Sequence, residues 1–424
     1  MSSAAKTRIS TTFRSLQVRN YRLYFTGQAI SMMGTWMERV AQSWLVLELT
    51  DSGTAVGTVA ALQFLPILLL SPLGGAMADR YDKRRILYVT QSMAAISGLG
   101  LGIAVLADVI SLWMIYASAL LLGLSSAFDN PARQTFVEEM VGRTQLSNAV
   151  SLNTTLVNAA RVVGPAVAGF LIVGVGIGWC FVLNGVSYLA LITALLMMNP
   201  DEFHHHTARP TGDRRGRIRE GFRYAIRTPH VRATLILITV AGLFVYEYSV
   251  VLPIFARFTF GGDADMFATM SSTMGAGAVV GGLMAASRVT QVPVLLARSA
   301  LIFGTIQILV SISPNVWLAY ALLVVLGGCS VTFISTANTT LQLSSDPEMR
   351  GRVMGLYVLG FFGTTPFGGP LMGWIGEHFS PRWSLAVGGI TLILAAIYAL
   401  PRLGREPLVG GVSKMPPPPA KITD

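Results

Sequence analysis

Lysine, cysteine and charge in general are scarce in this chain. Of 424 residues, four are Lys, two are Cys and 12% are charged, against about 25% charged in soluble domains. Each shortage excludes something. Cys180 and Cys329 stand far apart in apolar surroundings, so neither a disulfide framework nor a metal cluster is expected. No lysine sits in a G-x-x-x-x-G-K-[ST] phosphate loop, so nucleotide hydrolysis within this chain is not expected and any energy must come from an ion gradient or a partner. H-E-x-x-H pairs and nucleophile elbows are missing too. The chain therefore reads as no enzyme, with no catalytic residue and no cofactor. His204, His205 and His206 lack acidic or Cys partners at ligand spacing and read as a solvated loop, so no metal is expected. The basic N-terminus has no short apolar region with a cleavage site behind it, which argues against a cleaved leader.

What is present is apolar. The chain is 52% hydrophobic with a mean hydropathy of +0.58, which points to a bilayer as solvent. A membrane-spanning helix needs about 20 apolar residues. Such runs occur at 23–46, 54–77, 86–106, 112–128, 148–173 and 178–198, then at 231–256, 266–287, 294–312, 316–340, 353–375 and 383–400. Twelve spans in two sets of six predict an all-α polytopic membrane protein of two pseudo-symmetric six-helix bundles. The expected organisation is a tail over 1–22, a bundle over 23–198, a linker over 199–230, a second bundle over 231–400 and a tail over 401–424.

Lys and Arg collect on the cytoplasmic side of a membrane. With the N-terminus inside, 27 of the 31 Lys and Arg fall in the tails, the linker and the loops of that face. Both termini are thus expected in the cytoplasm, and the net charge of +10 reads as a topology signal rather than a nucleic-acid footprint. Within the linker, Ile218, Phe222, Ala225 and Ile226 recur among arginines at helical spacing, which predicts an amphipathic helix lying on an anionic lipid face.

An ionisable residue inside a span must face protein or water, so it is a functional candidate. Four qualify: Glu38 and Arg39 in the first span, Arg161 in the fifth and Glu247 in the seventh. Gly27, Ser31, Gly34, Glu38 and Gln42 form a small, polar stripe suited to lining a cavity. The helical neighbours of Glu247 are apolar and none is a cation, so this carboxyl is suited to exchanging protons with a cationic or amphipathic substrate. A structural ion pair with Arg39 or Arg161 is the alternative. Gln28, Gln42, Gln63, Asn158, Tyr246 and Asn338 are further cavity candidates, each of which could equally be interhelical glue. In the fifth span Gly164, Pro165 and Gly169 permit close packing and free a backbone carbonyl.

Between the second and third spans the chain reads Gly75-Ala76-Met77-Ala78-Asp79-Arg80-Tyr81-Asp82-Lys83-Arg84-Arg85. This spacing resembles the corresponding loop of the major facilitator superfamily. Asn20 to Tyr24, Ala41 to Leu45, Asp129 to Gln134, Gly164 to Gly169 and Arg350 to Met354 are similar to bacterial exporters of the enterobactin exporter and macrolide efflux permease type. Two departures stand out: Asp82 replaces a usual Gly, and residues 112–128 contain no Arg. The resemblance implies alternating access, with Asp79 docking at the start of the eleventh span near Arg350 and Arg352. Gly75, Arg80, Arg84 and Arg85 would belong to the same cytoplasmic gate. It implies a monomeric efflux transporter of the bacterial inner membrane, exchanging protons for a small amphipathic compound such as a drug or siderophore and touching membrane lipids. A lipid or lysophospholipid flippase, a small-solute importer and a non-transporting sensor are the alternatives.

Overall fold

The computed structural model describes residues 13–204, 214–286 and 293–403. The tail over 1–12, His205 and His206, the loop with Arg288 and the tail with Pro416–Pro419 lie outside the described residues. The first half contains α1 (Arg19–Thr50), α2 (Gly53–Arg80), α3 (Lys83–Leu106), α4 (Leu112–Gly174) and α5 (Gly178–Leu196). A connecting helix, α6 (Arg214–Arg227), leads to α7 (Pro229–Phe244), α8 (Tyr248–Phe260), α9 (Ala264–Ala286), α10 (Pro293–Ser311), α11 (Val316–Ser344), α12 (Arg350–Phe362), α13 (Thr365–His378) and α14 (Pro381–Leu403).

Local chemistry sets several boundaries. Asp51 ends α1 in the left-handed region at φ 48°, and the Ser52 hydroxyl then accepts from the Ala55 amide to cap α2. The side chain of Asp82 accepts from the amides of Arg84 and Arg85, at 2.8 and 3.4 Å, and starts α3. A carboxylate there also suits the positive end of the helix.

Seven described helices are long and apolar enough to cross a membrane, and the pair α7 and α8, bent by 41°, makes an eighth. The other four passages escape that criterion for visible reasons. Helix α1 is interrupted by Glu38, Arg39 and Gln42, and α9 is rich in Gly, Ser and Thr. The 63-residue α4 holds both the fourth and fifth spans, broken only at Gly142, whose φ of 69° favours a residue without Cβ. The eleventh span is split into α12 and α13 at Gly363 and Thr364. Twelve passages in two six-helix bundles therefore form an all-α polytopic membrane protein. The region after Asp129, expected as a loop, is instead helix running on to Gly142.

Helices α1 to α5 pack among themselves, as do α7 to α14, and two seams join the halves: α2 against α13 and α4 against α9. Large apolar side chains stay exposed on the outer surface, among them Leu69, Ile96, Phe170 and Trp317, as a lipid-facing belt requires. Helix α6 does more than lie on a surface. Phe222 and Ile226 are exposed, Ala225 is buried, and Glu220 pairs with Arg352 at 2.7 Å.

Candidate functional site

The two halves meet tightly at the end opposite the basic loops. On the α2–α13 seam a Cβ added to Gly53 would lie 2.7 Å from the Gly373 carbonyl, and one added to Gly369 would lie 2.9 Å from the Gly57 carbonyl. Backbone approach of this kind excludes every residue but Gly. On the α4–α9 seam Gly169 faces Ala268 and Asp265. Gly164 serves its own half, against Trp36 and Met37 of α1. Side chains strap the same end: Asp51 pairs with Arg257 at 2.6 Å, and Trp44 stacks on Phe267 at 6.4 Å.

Glu377, just beyond the end of its span, completes the strap. Its carboxylate accepts from the Ser52 hydroxyl (2.7 Å), the Thr54 amide (2.9 Å) and the Thr54 hydroxyl (2.7 Å). Desolvation pushes its pKa up, but these donors outweigh it and hold the group below the ordinary carboxylate value. A depressed value means that this strap is fully formed above the ordinary Glu range and is lost as pH falls through the lowered one. Acidifying the far side should therefore raise a reporter's access to the cavity from that side a fewfold. Glu377→Gln should remove the acid-dependent part; an identical pH profile in the mutant would refute the role.

Behind the seams lies a cavity of about 440 Å³ walled by both halves. Arg39, Arg161, Gln42, Gln63 and Pro165 line it from one half, Tyr246 and Phe361 from the other. The Arg39 and Arg161 guanidinium carbons lie 4.7 and 5.1 Å from the centre of the same indole ring, that of Trp36. Gln63 donates to Gln42 across 2.6 Å, and the Tyr246 hydroxyl donates to the Ser330 carbonyl at 2.7 Å. Tyr246 and Phe361 meet edge to face at 4.8 Å, a favourable geometry for rings.

The sequence-predicted residues scatter more than expected. Glu38 does not line the cavity. It is buried against α5, where the Asn184 amide donates to it. Most of the stripe on α1 is a packing seam, with Gly27 on Leu191 and Gly34 on Asn184 and Ser187, and Gln42 at its end reaches the cavity. Arg39, one residue on, points about 100° away around the helix and reaches the cavity instead. Glu247 sits in the break between α7 and α8 and caps α8, its carbonyl accepting from the amides of Val250 and Val251. Its buried carboxyl faces Thr365 and the small residues Gly368 and Gly369 of α13. Among the described residues it pairs with neither Arg39 nor Arg161, and Oε1 has no hydrogen-bond partner. Of the cavity candidates, Gln42, Gln63 and Tyr246 are placed there. Asn158 lies elsewhere, and Asn338 accepts from Gln342.

Gln28 belongs to a cluster built on the Asp129–Gln134 motif, a grouping that sequence reasoning did not make. It accepts from Arg133, which also pairs with Asp129 at 2.7 Å, while Asp129 accepts from Thr90 and Gln91 at 3.0 and 2.8 Å. The readable signal was an acid four residues before an arginine on one helix. At the same basic end Arg84 donates to the carbonyls of Leu195 and Leu196, a cation at a helix C-terminus, and Arg80 lies over Tyr81. Gly74 is the tightly packed glycine of this loop, facing Ala127 and Pro131, whereas Gly75 has open space where a Cβ would be. Asp79, Arg85 and Arg350 are exposed. Among the described residues Arg352 pairs with Glu220 at 2.7 Å.

Residues 10–407 match the family model described as transmembrane secretion effector. The chain belongs to that family, within the major facilitator superfamily. Similar proteins are the staphyloferrin A transporter of Staphylococcus aureus (24% identical, over 88% of this chain and 93% of that one) and the enterobactin exporter EntS of Citrobacter koseri (24%, over 91% and 92%). The multidrug efflux pump Tap of Mycolicibacterium fortuitum is 26% identical over 87% of this chain and 93% of its own. Among solved structures, a nucleoside transporter NupG mutant matches in fold with a TM-score of 0.72 at 12% identity, over 91% of this chain and 99% of that one. This family member is thus a multi-pass membrane transporter of the efflux type and not an enzyme.

Proposed function

We propose that this transporter exports a small amphipathic compound by alternating access, driven by protons moving the other way. It works from the bacterial inner membrane with both termini in the cytoplasm, and the halves 23–198 and 231–400 rock about the cavity. The observation that carries the reading is a cavity walled by both halves, with the glycine seams sealing one end of it. This is one of the two arrangements a rocking transporter alternates between, with its site near the middle of the membrane. The opposite arrangement requires the seams to part and the basic loops to close, with Asp79 then available to the region of Arg350 and Arg352. Glu247, buried at a helix break, supplies the proton-carrying group. The names of the three relatives, two of which print export or efflux, support the direction.

The test is uptake of a compound panel into everted membrane vesicles, with and without an imposed proton gradient. Accumulation should rise at least tenfold with the gradient and collapse with an uncoupler. Accumulation indifferent to the gradient would sink the antiport reading. Asp79→Asn should insert normally and transport poorly; full transport by that variant would remove it from the gate.

A further inference from the structure

The cavity wall is charged with one sign only. Two guanidinium groups, those of Arg39 and Arg161, face it, and no Asp or Glu is among the residues that line it. Among the described residues, Glu38 accepts from Asn184 and feels Arg39 only through space, Glu247 faces Thr365, Asp265 lies at the Gly169 seam and Asp51 is taken by Arg257. Neither cavity arginine has an ion pair among the described residues, and the buried Nε of Arg161 has no hydrogen-bond partner.

Both cations lie near one ring, that of Trp36, and a cation–π contact of this kind consumes none of the N–H donors of either guanidinium. Two like charges facing one cavity, away from bulk water, repel one another, and an anion drawn between them relieves that repulsion. Such free, planar donor edges match a carboxylate or similar oxyanion, which can accept two parallel hydrogen bonds from each. Tyr246, Phe361 and Phe64 also line the cavity and supply apolar and aromatic surface for the rest of the molecule.

We propose that the cavity takes its substrate as an organic anion, with oxyanion groups held by Arg39 and Arg161 beside Trp36 and an aromatic or apolar body against the Tyr246–Phe361 wall. This inference rests on the cavity being the transport site, and it replaces the cationic substrate considered from the sequence. A multiply charged carboxylate uses both arginines; a hydrophobic cation meets repulsion from both.

The test compares two dyes sharing a ring skeleton but opposite in charge, carboxyfluorescein and rhodamine 6G. Their binding to the purified full chain is followed by fluorescence anisotropy, with no gradient present. Carboxyfluorescein should bind at least tenfold more tightly. Arg39→Gln and Arg161→Gln should each weaken it about tenfold, while Arg39→Lys and Arg161→Lys, which keep the charge but lose the planar fork, should recover only part of that loss. Thermal unfolding checks that each variant is folded. Equal or tighter binding of the cation, no binding of carboxyfluorescein by folded protein, or Gln variants that bind it normally would each overturn the proposal. Because binding is read without transport, failure of the exporter reading in vesicles leaves this result separately legible.

Discussion

Glu247→Gln should lower gradient-driven accumulation at least tenfold and flatten its pH dependence, while passive exchange of substrate across the membrane continues. The reason lies in where the carboxyl sits. Helix α7 stops at Phe244 and α8 starts at Tyr248, so the chain at Glu247 is bent, and the side chain is 2% exposed. Its carboxyl lies against Thr365, Gly368 and Gly369, in the first turns of α13. A negative charge near a helix start is stabilised by about 0.3–1 kcal/mol, and by up to ~2 kcal/mol when partly buried. A protonated carboxyl loses most of that attraction, and α13 is the helix whose Gly369 and Gly373 form the far seam. About 2 kcal/mol corresponds to a change of roughly thirtyfold in a two-state population. Proton binding at one position can thus shift which end of the cavity is sealed. Gln keeps the size of the side chain and cannot change charge. Undiminished accumulation with a wild-type pH profile would remove Glu247 from coupling.

Gly57→Val should be nearly inactive for a different reason. A Cβ at position 57 would lie 2.5 Å from the carbonyl carbon of Gly369 and 2.6 Å from the Pro370 nitrogen. These are backbone atoms and cannot rotate away, so α2 and α13 must separate for the side chain to fit. The seam then stays parted and the transporter spends its time open at the far end. A Ser43→Cys reporter on the cavity wall should label with an impermeant maleimide from that side about tenfold faster than in the Gly57 background. Gly100→Ala is the control, because nothing lies within 4 Å of its added Cβ. Unchanged labelling and normal transport in Gly57→Val would mean the seam is not part of the cycle.

The architecture was legible because it follows from one-dimensional quantities: scarce charge and the length of apolar runs. The site was legible only in part. Periodicity says which residues of α1 share a face but not which helix that face meets, so the stripe ending at Glu38 and Gln42 was read as cavity when most of it packs on α5. Glu38 and Arg39 are adjacent in sequence and part company by one helical step. Gln28 looked like Gln42 of the same helix, yet Arg133, over a hundred residues away, claims it. The breaks beside Glu247 and Thr364 were hidden inside continuous apolar runs; Pro253, Pro366 and Pro370 were the available hints.

The shared ring of Trp36 has an optical consequence. An indole's emission responds to the electric field across it, and this one carries a guanidinium at 4.7 Å and another at 5.1 Å. An anion drawn to those cations changes that field, so occupancy should appear as a shift in intrinsic tryptophan fluorescence. The chain has seven Trp, and subtracting the spectrum of Trp36→Phe would isolate the one that reports. The protein thereby contains its own dye, readable without a label and without a gradient.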